Sequence, residues 1–429
     1  MELPAIKAGF VGFGEINTPP EMIERLSNQA RDWLTASGLE LVGTDPVTDD
    51  PDGRDVARAC KELAGRDFDL LILCVAGWIP SHAVIALADR FRHKPMLLWG
   101  VTGWEEDGRL VTTAAQAGTT ALRKTMADMD FRFKYVVDRI GNPPDEEAIL
   151  SFARAAQAAE RLRGSKIGMM GYRDMNLYAT LYDGVSLRSR IGPEVETFEM
   201  LEMAQYIEAL SETDVAAMVQ SVRERWTFEQ DTADETIAKA VKLYLALHRK
   251  VQERGYEAVS LIDVDGVKKL MQFPPAAVFM LLHEEDGVCT IPENDAMGAV
   301  TQLMIRRLTG QAAAYMEFYE FSDSTMLIGV PDYVPSEIVD GPVVVRPTAF
   351  GDFGEGLLNV SKVKTGPVTL CRLFYTGDRY GLHLVTGEAR TPRPWEEAGW
   401  QPPAPQLPSL EVTPEGPLSH FIQNVMGQH

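Results

Sequence analysis

Short apolar runs alternate with amphipathic stretches through roughly the first 160 residues, and this alternation constrains the fold more than any other property of the chain. Residues 8–12, 39–42, 70–76 and 95–99 carry almost no polar side chains. Strands that face solvent on one side alternate polar and apolar residues, so continuous runs point to strands buried on both faces of a parallel sheet. The amphipathic stretches between them then supply the helical crossovers. A helix over residues 144–163, rich in Ala, Glu and Arg, closes this unit, and the pattern restarts. New strands are expected at 166–170, 195–198 and 258–262, with helices over 214–222 and 235–254 between them.

Beyond Gly310 the texture changes to Gly-, Pro- and β-rich segments at 326–330, 341–346, 366–374 and 381–385, which predict a small antiparallel sheet or barrel. Residues 392–414 read as a proline-rich loop. The expected fold class is α/β: two successive Rossmann-like, doubly wound domains over 1–163 and 164–309, then a smaller β-rich C-terminal domain over 310–429. A chain of 429 residues is long enough for such a division.

Charge and cysteine usage narrow the function. Lys and Arg number 41 against 62 Asp and Glu, a formal net charge of -21, which argues against nucleic acid and against an anionic membrane surface as partners. Cys60, Cys74, Cys289 and Cys371 are scattered without metal-type spacing and are expected to be reduced and structural. The N-terminus enters a strand without a signal-peptide pattern, and no apolar run approaches the ~20 residues of a membrane span. A cytoplasmic location is the expectation.

Two carboxylates carry the chemistry. Glu293, in Ile-Pro-Glu293-Asn294-Asp295-Ala-Met-Gly, and Glu317, in Ala-Tyr-Met-Glu317-Phe-Tyr, stand 24 positions apart with one helix predicted between them. Asn294 or Asp295 can cap that helix, Ala299, Val300, Leu303, Met304 and Leu308 form its apolar stripe, and Gly310 ends it. A buried strand is expected over 312–318. About a dozen helical residues span roughly 18 Å, which a returning strand can retrace, so both acids can meet at one sheet edge. An acid among small and aromatic residues is costly unless paired or metal-bound. The plain alternative is an outward strand face shared by Tyr315, Glu317 and Tyr319.

Other motifs are less specific. Gly9-Phe-Val-Gly12-Phe-Gly14-Glu15-Ile-Asn17 invites a dinucleotide-binding reading, but Asn17 stands at the third glycine and Pro19-Pro20 interrupts the helix start. Glu15 and Asn17 still lie where open α/β sheets place ligands. The loop Gly171-Tyr-Arg173-Asp174-Met175-Asn176 follows a strand in the same way and either faces a ligand or is simply solvated. Trp78, directly after a buried run, ends at a pocket or packs. His93, His248, His283 and His383 have ordinary structural explanations; His420 and His429 flank Phe-Ile-Gln-Asn-Val-Met-Gly-Gln, and His429 is the last residue of the sequence.

These residues resemble the L-fucose isomerase and L-arabinose isomerase group of metal-dependent aldose–ketose isomerases, with the nearer likeness on the fucose side. Glu293-Asn294-Asp295-Ala-Met-Gly is similar to the group's first metal-ligand motif, and the spacing to Glu317 fits the second carboxylate ligand. There the fucose enzymes have aspartate and the arabinose enzymes glutamate. Residues 366–373 resemble a strand of the group's C-terminal domain, and Asn424-Val-Met-Gly-Gln-His429 resembles the segment bearing the histidine ligand. The resemblance implies a metal set of Glu293, Glu317 and His429, with the two glutamates doubling as the acid/base pair. It places Met175, Trp78 and Asp265 at the substrate, Trp78 as a residue supplied by a neighbouring subunit and Asp265 where the group has glutamine. The additional histidine of the arabinose enzymes falls near Val330-Pro331 and is absent, and the group's chains continue past the histidine, which leaves room for a segment beyond the sequence given.

The implied activity is aldose–ketose isomerisation of a free sugar through an enediolate, with Mn²⁺ the foremost cation and Mg²⁺ or Co²⁺ as alternatives. The implied assembly is a homo-oligomer, trimer or hexamer, with sites near subunit interfaces. A non-catalytic sugar-binding protein of the same fold and, further off, a nicotinamide-dependent dehydrogenase are the competing readings.

Overall fold

The computed structural model describes residues 3–330, 333–349, 352–392, 408–427 and 429. The chain divides into two compact units, Met1–Arg161 and Leu162–His429. In the first, β1 (Ile6–Phe13), β2 (Leu39–Gly43), β3 (Leu70–Val75) and β4 (Met96–Gly100) are followed by a ribbon, β5 (Trp104–Glu106) with β6 (Arg109–Val111), and by β7 (Phe133–Val137). The main sheet is parallel in the order β2-β1-β3-β4-β7. Every residue of β3 and β4 is buried, as continuous apolar runs require. β7 was not expected: its alternating burial at the sheet edge gives it no apolar run to read.

This is a flavodoxin-like strand order, whose direction of winding reverses between β1 and β3. Gly12 and Gly14 lie at that point, and a Cβ on either would collide with Ser27 or Ile23 of the Pro20–Ala36 helix. The glycines there let a helix approach the strand end closely.

The second unit begins with β8 (Lys166–Met170), β9 (Glu194–Phe198), β10 (Thr227–Phe228), β11 (Ala258–Leu261) and β12 (Cys289–Ile291). Four of them form a parallel sheet in the order β12-β11-β8-β9. The chain passes from β8 to β9 and then returns to the other side of β8, so the winding reverses between β8 and β11. Next come β13 (Glu317–Phe321), β14 (Met326–Gly329), β15 (Val344–Thr348), β16 (Gly356–Asn359), β17 (Gly366–Tyr375), β18 (Tyr380–Arg390) and β19 (Ser409–Pro414). β13, β14, β19, β18 and β17 make an antiparallel sheet in that order, and β10 joins β15 and β16 in a third.

The β-rich segment shares one hydrophobic core with the α/β layer, running from Ile167 and Leu261 through Val300 and Leu303 to Leu410 and Phe421. Two local expectations are corrected. The strand expected over 312–318 starts only at Glu317, which pairs with Gly329 of β14. Before it, the Ala313 carbonyl accepts from the Gln302 side chain at 3.0 Å instead of from a ladder. The stretch expected to be a loop over 392–414 contains β19, central in its sheet, while residues 393–407 lie outside the described residues.

Candidate metal and proton-transfer site

Three loops at the carboxyl ends of the second unit's parallel strands meet beside the β8/β11 reversal, the place where open α/β sheets bind ligands. The loop after β8 is held by Asp174, which is fully buried. Its carboxylate accepts from the N–H groups of Met175 (3.0 Å), Val264 (2.7 Å) and Asp265 (2.7 Å), tying this loop to the one after β11. The loop after β12 is tied to both. Asn294, wholly buried, donates its side-chain amide to the Met170 carbonyl at 2.8 Å and its N–H to the Leu261 carbonyl at 3.1 Å.

Glu293 and Asn294 both adopt left-handed backbone conformations, φ 62° and 55°. Asp295 then caps the Ala296–Thr309 helix, accepting from Gly298 N–H at 2.9 Å, and Gly310 ends that helix in a left-handed conformation at φ 72°. Both helix signals are as the sequence predicts.

The helix returns the chain to Glu317 at the start of β13. Ligand atoms of Glu293, Glu317 and His429 all lie within 4.8 Å of one another, with Glu293 buried and the other two residues half-buried. His429 Nε2 stands 3.3 Å from a Glu293 carboxylate oxygen. Its Nδ1 lies 2.8 Å from Asp295 Oδ2. An imidazole anchored through Nδ1 presents Nε2 as a fixed ligand, the usual arrangement of metal-binding histidine. Tyr315 meets the ring edge-on at 5.1 Å between centroids. Two carboxylates and a buried imidazole nitrogen facing one of them fit a divalent cation of moderate hardness.

Asp295 is the hinge of this arrangement. It is fully buried, and Arg372 of β17 grips it twice, at 2.5 and 3.0 Å. Burial alone would raise its carboxyl, but the Arg372 charge and the His429 hydrogen bond outweigh burial and hold it well below the carboxylate range. Burial likewise would lower the His429 imidazole, yet the hydrogen bonds and charges of Asp295 and Glu293 raise it to about 9.

The remaining sequence candidates lie as follows. Met175 has φ 47° and is 37% exposed on the β8 loop. Asp265 accepts from Met175 N–H at 2.8 Å and pairs with Lys269 at 2.5 Å; that Lys269 contact is the main cause of its lowered carboxyl pKa. Trp78 belongs to the first unit, at the β1/β3 reversal, 39% exposed, its carbonyl accepting from Glu15 N–H at 2.8 Å. Of Val330-Pro331, where the resemblance places an additional histidine, Pro331 is outside the described residues. Arg372, Asp263 and Lys268 were not singled out from sequence. Arg372 had a signal, a charge set in the apolar run Val-Thr-Leu-Cys-Arg-Leu-Phe; Asp263 and Lys268 sit in an ordinary polar loop sequence.

A cavity of about 740 Å³ in the same unit runs between the Ala296–Thr309 helix and the β17/β18 pair. Arg372 and His429 line it, and neither Glu293 nor Glu317 does.

Known proteins share this part of the chain. A family model of the L-arabinose isomerase central domain matches residues 170–322, which include all three loops and both glutamates. A sulfoquinovose isomerase from Priestia megaterium is 20% identical over 394 residues, covering 89% of this chain and 84% of the relative. An L-arabinose isomerase from Acidothermus cellulolyticus is 25% identical over 428 residues, covering 89% and 80%. Another from Escherichia coli O7:K1 is 24% identical over 254 residues, covering 55% and 50%. The comparisons support an enzyme of the arabinose-isomerase-like group of sugar isomerases, that is an aldose–ketose isomerase, without singling out the fucose side of the group.

Proposed function

We propose that this chain interconverts a free aldose and its ketose with the help of a divalent cation held by Glu293, Glu317 and His429. The observation that carries this reading is the convergence of those three side chains, from three separate segments, to within 4.8 Å beside the carboxyl ends of a parallel sheet. Bound there, a cation would polarise the sugar's carbonyl and adjacent hydroxyl and stabilise the negative charge of an enediolate. Glu293 and Glu317 move the proton between the two carbons, one taking it and the same or the other returning it. Asp295 and Arg372 keep the His429 ring oriented, Met175 and Asp265 are proposed sugar contacts, and Trp78 is proposed as a contact supplied by a neighbouring subunit. Mn²⁺ is the foremost candidate ion, with Mg²⁺ and Co²⁺ behind it.

Division into 1–163, 164–309 and 310–429, a trimeric or hexameric assembly with sites near its interfaces, and a cytoplasmic location belong to the same proposal. No helix among the described residues is long and apolar enough to cross a membrane.

The decisive test is a panel of aldoses and ketoses with added Mn²⁺, followed by product NMR in D₂O. Solvent deuterium at C1 or C2 is expected, and Glu293→Gln or Glu317→Gln should lower turnover by at least ~100-fold, a typical worth of acid–base catalysis. Near-normal turnover in both variants would dismiss the assignment.

A further inference from the structure

Glu293 carries its carboxylate on a backbone that residues with a Cβ avoid, φ 62°, followed by Asn294 at 55°. Such a turn persists only where its surroundings hold it. Beneath it lies Asp263, fully buried, the first residue of a π-helical stretch, Asp263–Met271. Irregular turns of this kind recur at functional sites. Asp263 Oδ1 accepts from Glu293 N–H at 2.8 Å, and its Oδ2 lies 3.2 Å from the Lys268 ammonium, the two side chains being 1% and 9% exposed. A buried ion pair is weak evidence for stability, since apolar residues of similar volume often do as well or better. Its place one hydrogen bond from the Glu293 peptide gives it another reason to exist.

We propose that Asp263, paired with Lys268, is a positioning residue: it fixes the left-handed turn at Glu293 and so sets where the Glu293 carboxylate stands relative to Glu317 and His429. The inference rests on the reading of those three residues as the metal and proton-transfer site. Without an acceptor at position 263 the Glu293 N–H is left buried and unmatched, and the peptide is released toward an ordinary conformation that swings the carboxylate away. Asn294 pins the far side of the turn to Met170 and Leu261, so the displacement falls on Glu293.

The test compares two full-length double variants that both lack the buried lysine. Asp263→Asn with Lys268→Met keeps an acceptor oxygen for the Glu293 N–H; Asp263→Leu with Lys268→Met removes it. Mn²⁺ dissociation constant, kcat, KM and Tm are measured on both and on the wild type. The Asn/Met chain should hold Mn²⁺ within about threefold of wild type, whereas the Leu/Met chain, at similar Tm, should lose 10- to 100-fold in Mn²⁺ affinity and fall in kcat more than it shifts in KM, the scale expected for groups behind a metal ligand. Equal Mn²⁺ affinity and kcat in the two chains would overturn the proposal and leave the pair a packing feature. A wild type that neither binds Mn²⁺ nor isomerises any sugar would overturn the functional reading instead. Crystal structures of the double variants then decide positioning alone: a relaxed Glu293 turn in the Leu/Met chain supports it, and an unchanged turn refutes it.

Discussion

Both units contain a parallel sheet whose winding reverses, and only one of the two reversals carries a cluster suited to a cation among the described residues. At β1/β3 the loops hold Gly12, Gly14, Trp78 and the pair Glu15–Asn17, whose side chains hydrogen-bond to each other at 3.0 Å near the surface. At β8/β11 the loops hold Asp174, Asp263, Glu293 and Asp295, all buried, and strained turns at Met175, Asn176, Glu293 and Asn294. The same topology thus provides a place for a ligand twice, and buried charge on strained backbone distinguishes the place equipped for chemistry.

The sharpest way to break this contrast is to remove one carboxylate from each reversal. Asp295→Ala leaves Arg372 buried without its partner and should destabilise the protein by about 3–5 kcal/mol in urea unfolding. Asp49→Ala removes the carboxylate that accepts from Ile16 N–H at the first reversal, and should cost only ~1 kcal/mol. Equal losses would erase the distinction.

A smaller effect concerns pH. In metal-free protein the His429 imidazole is raised to about 9 from an ordinary value near ~6.5, so its contribution to stability is complete below ~6.5 and is lost as pH rises through about 9. Asp295 is depressed, so its contribution is present above ~3.9 and is lost as pH falls below that. Melting temperatures of chelator-treated protein should therefore decline from pH 6.5 to 9. Added Mn²⁺ should flatten or reverse that decline, because it binds the unprotonated ring. The smallest expected effect is in the first unit: Trp78→Ala should leave Mn²⁺ affinity unchanged by calorimetry, since the proposed ligands all come from the second unit. A weakened Mn²⁺ site in that variant would join the two reversals functionally.

Much of this was legible in sequence, for physical reasons. Strands buried on both faces must be apolar throughout, so 70–76 and 95–99 announced β3 and β4, and the Asp295 cap and Gly310 stop bracketed the helix between the two glutamates. The edge strand β7 and the central strand β19 escaped because one has mixed faces and the other follows a proline-rich stretch that reads as loop. The acids were visible as anomalies of burial. Their supports were not: nothing local reveals that Arg372 reaches back 77 positions to Asp295, or that Asp263 lies under Glu293. Such partners are set by tertiary proximity, and no period or spacing encodes it.

One carboxylate, that of Asp295, simultaneously receives the first turn of a helix, an arginine from the antiparallel sheet and the ring of the final residue. Three segments that would otherwise open independently are thereby obliged to open together. Amide hydrogen exchange should report this as a single cooperative unit in which the Ala296–Thr309 helix, the middle of β17 and residues 425–427 share one opening free energy. An ion captured at His429 would slow exchange in all three, so that substrate chemistry and the integrity of the second unit's core would be governed by the same local opening.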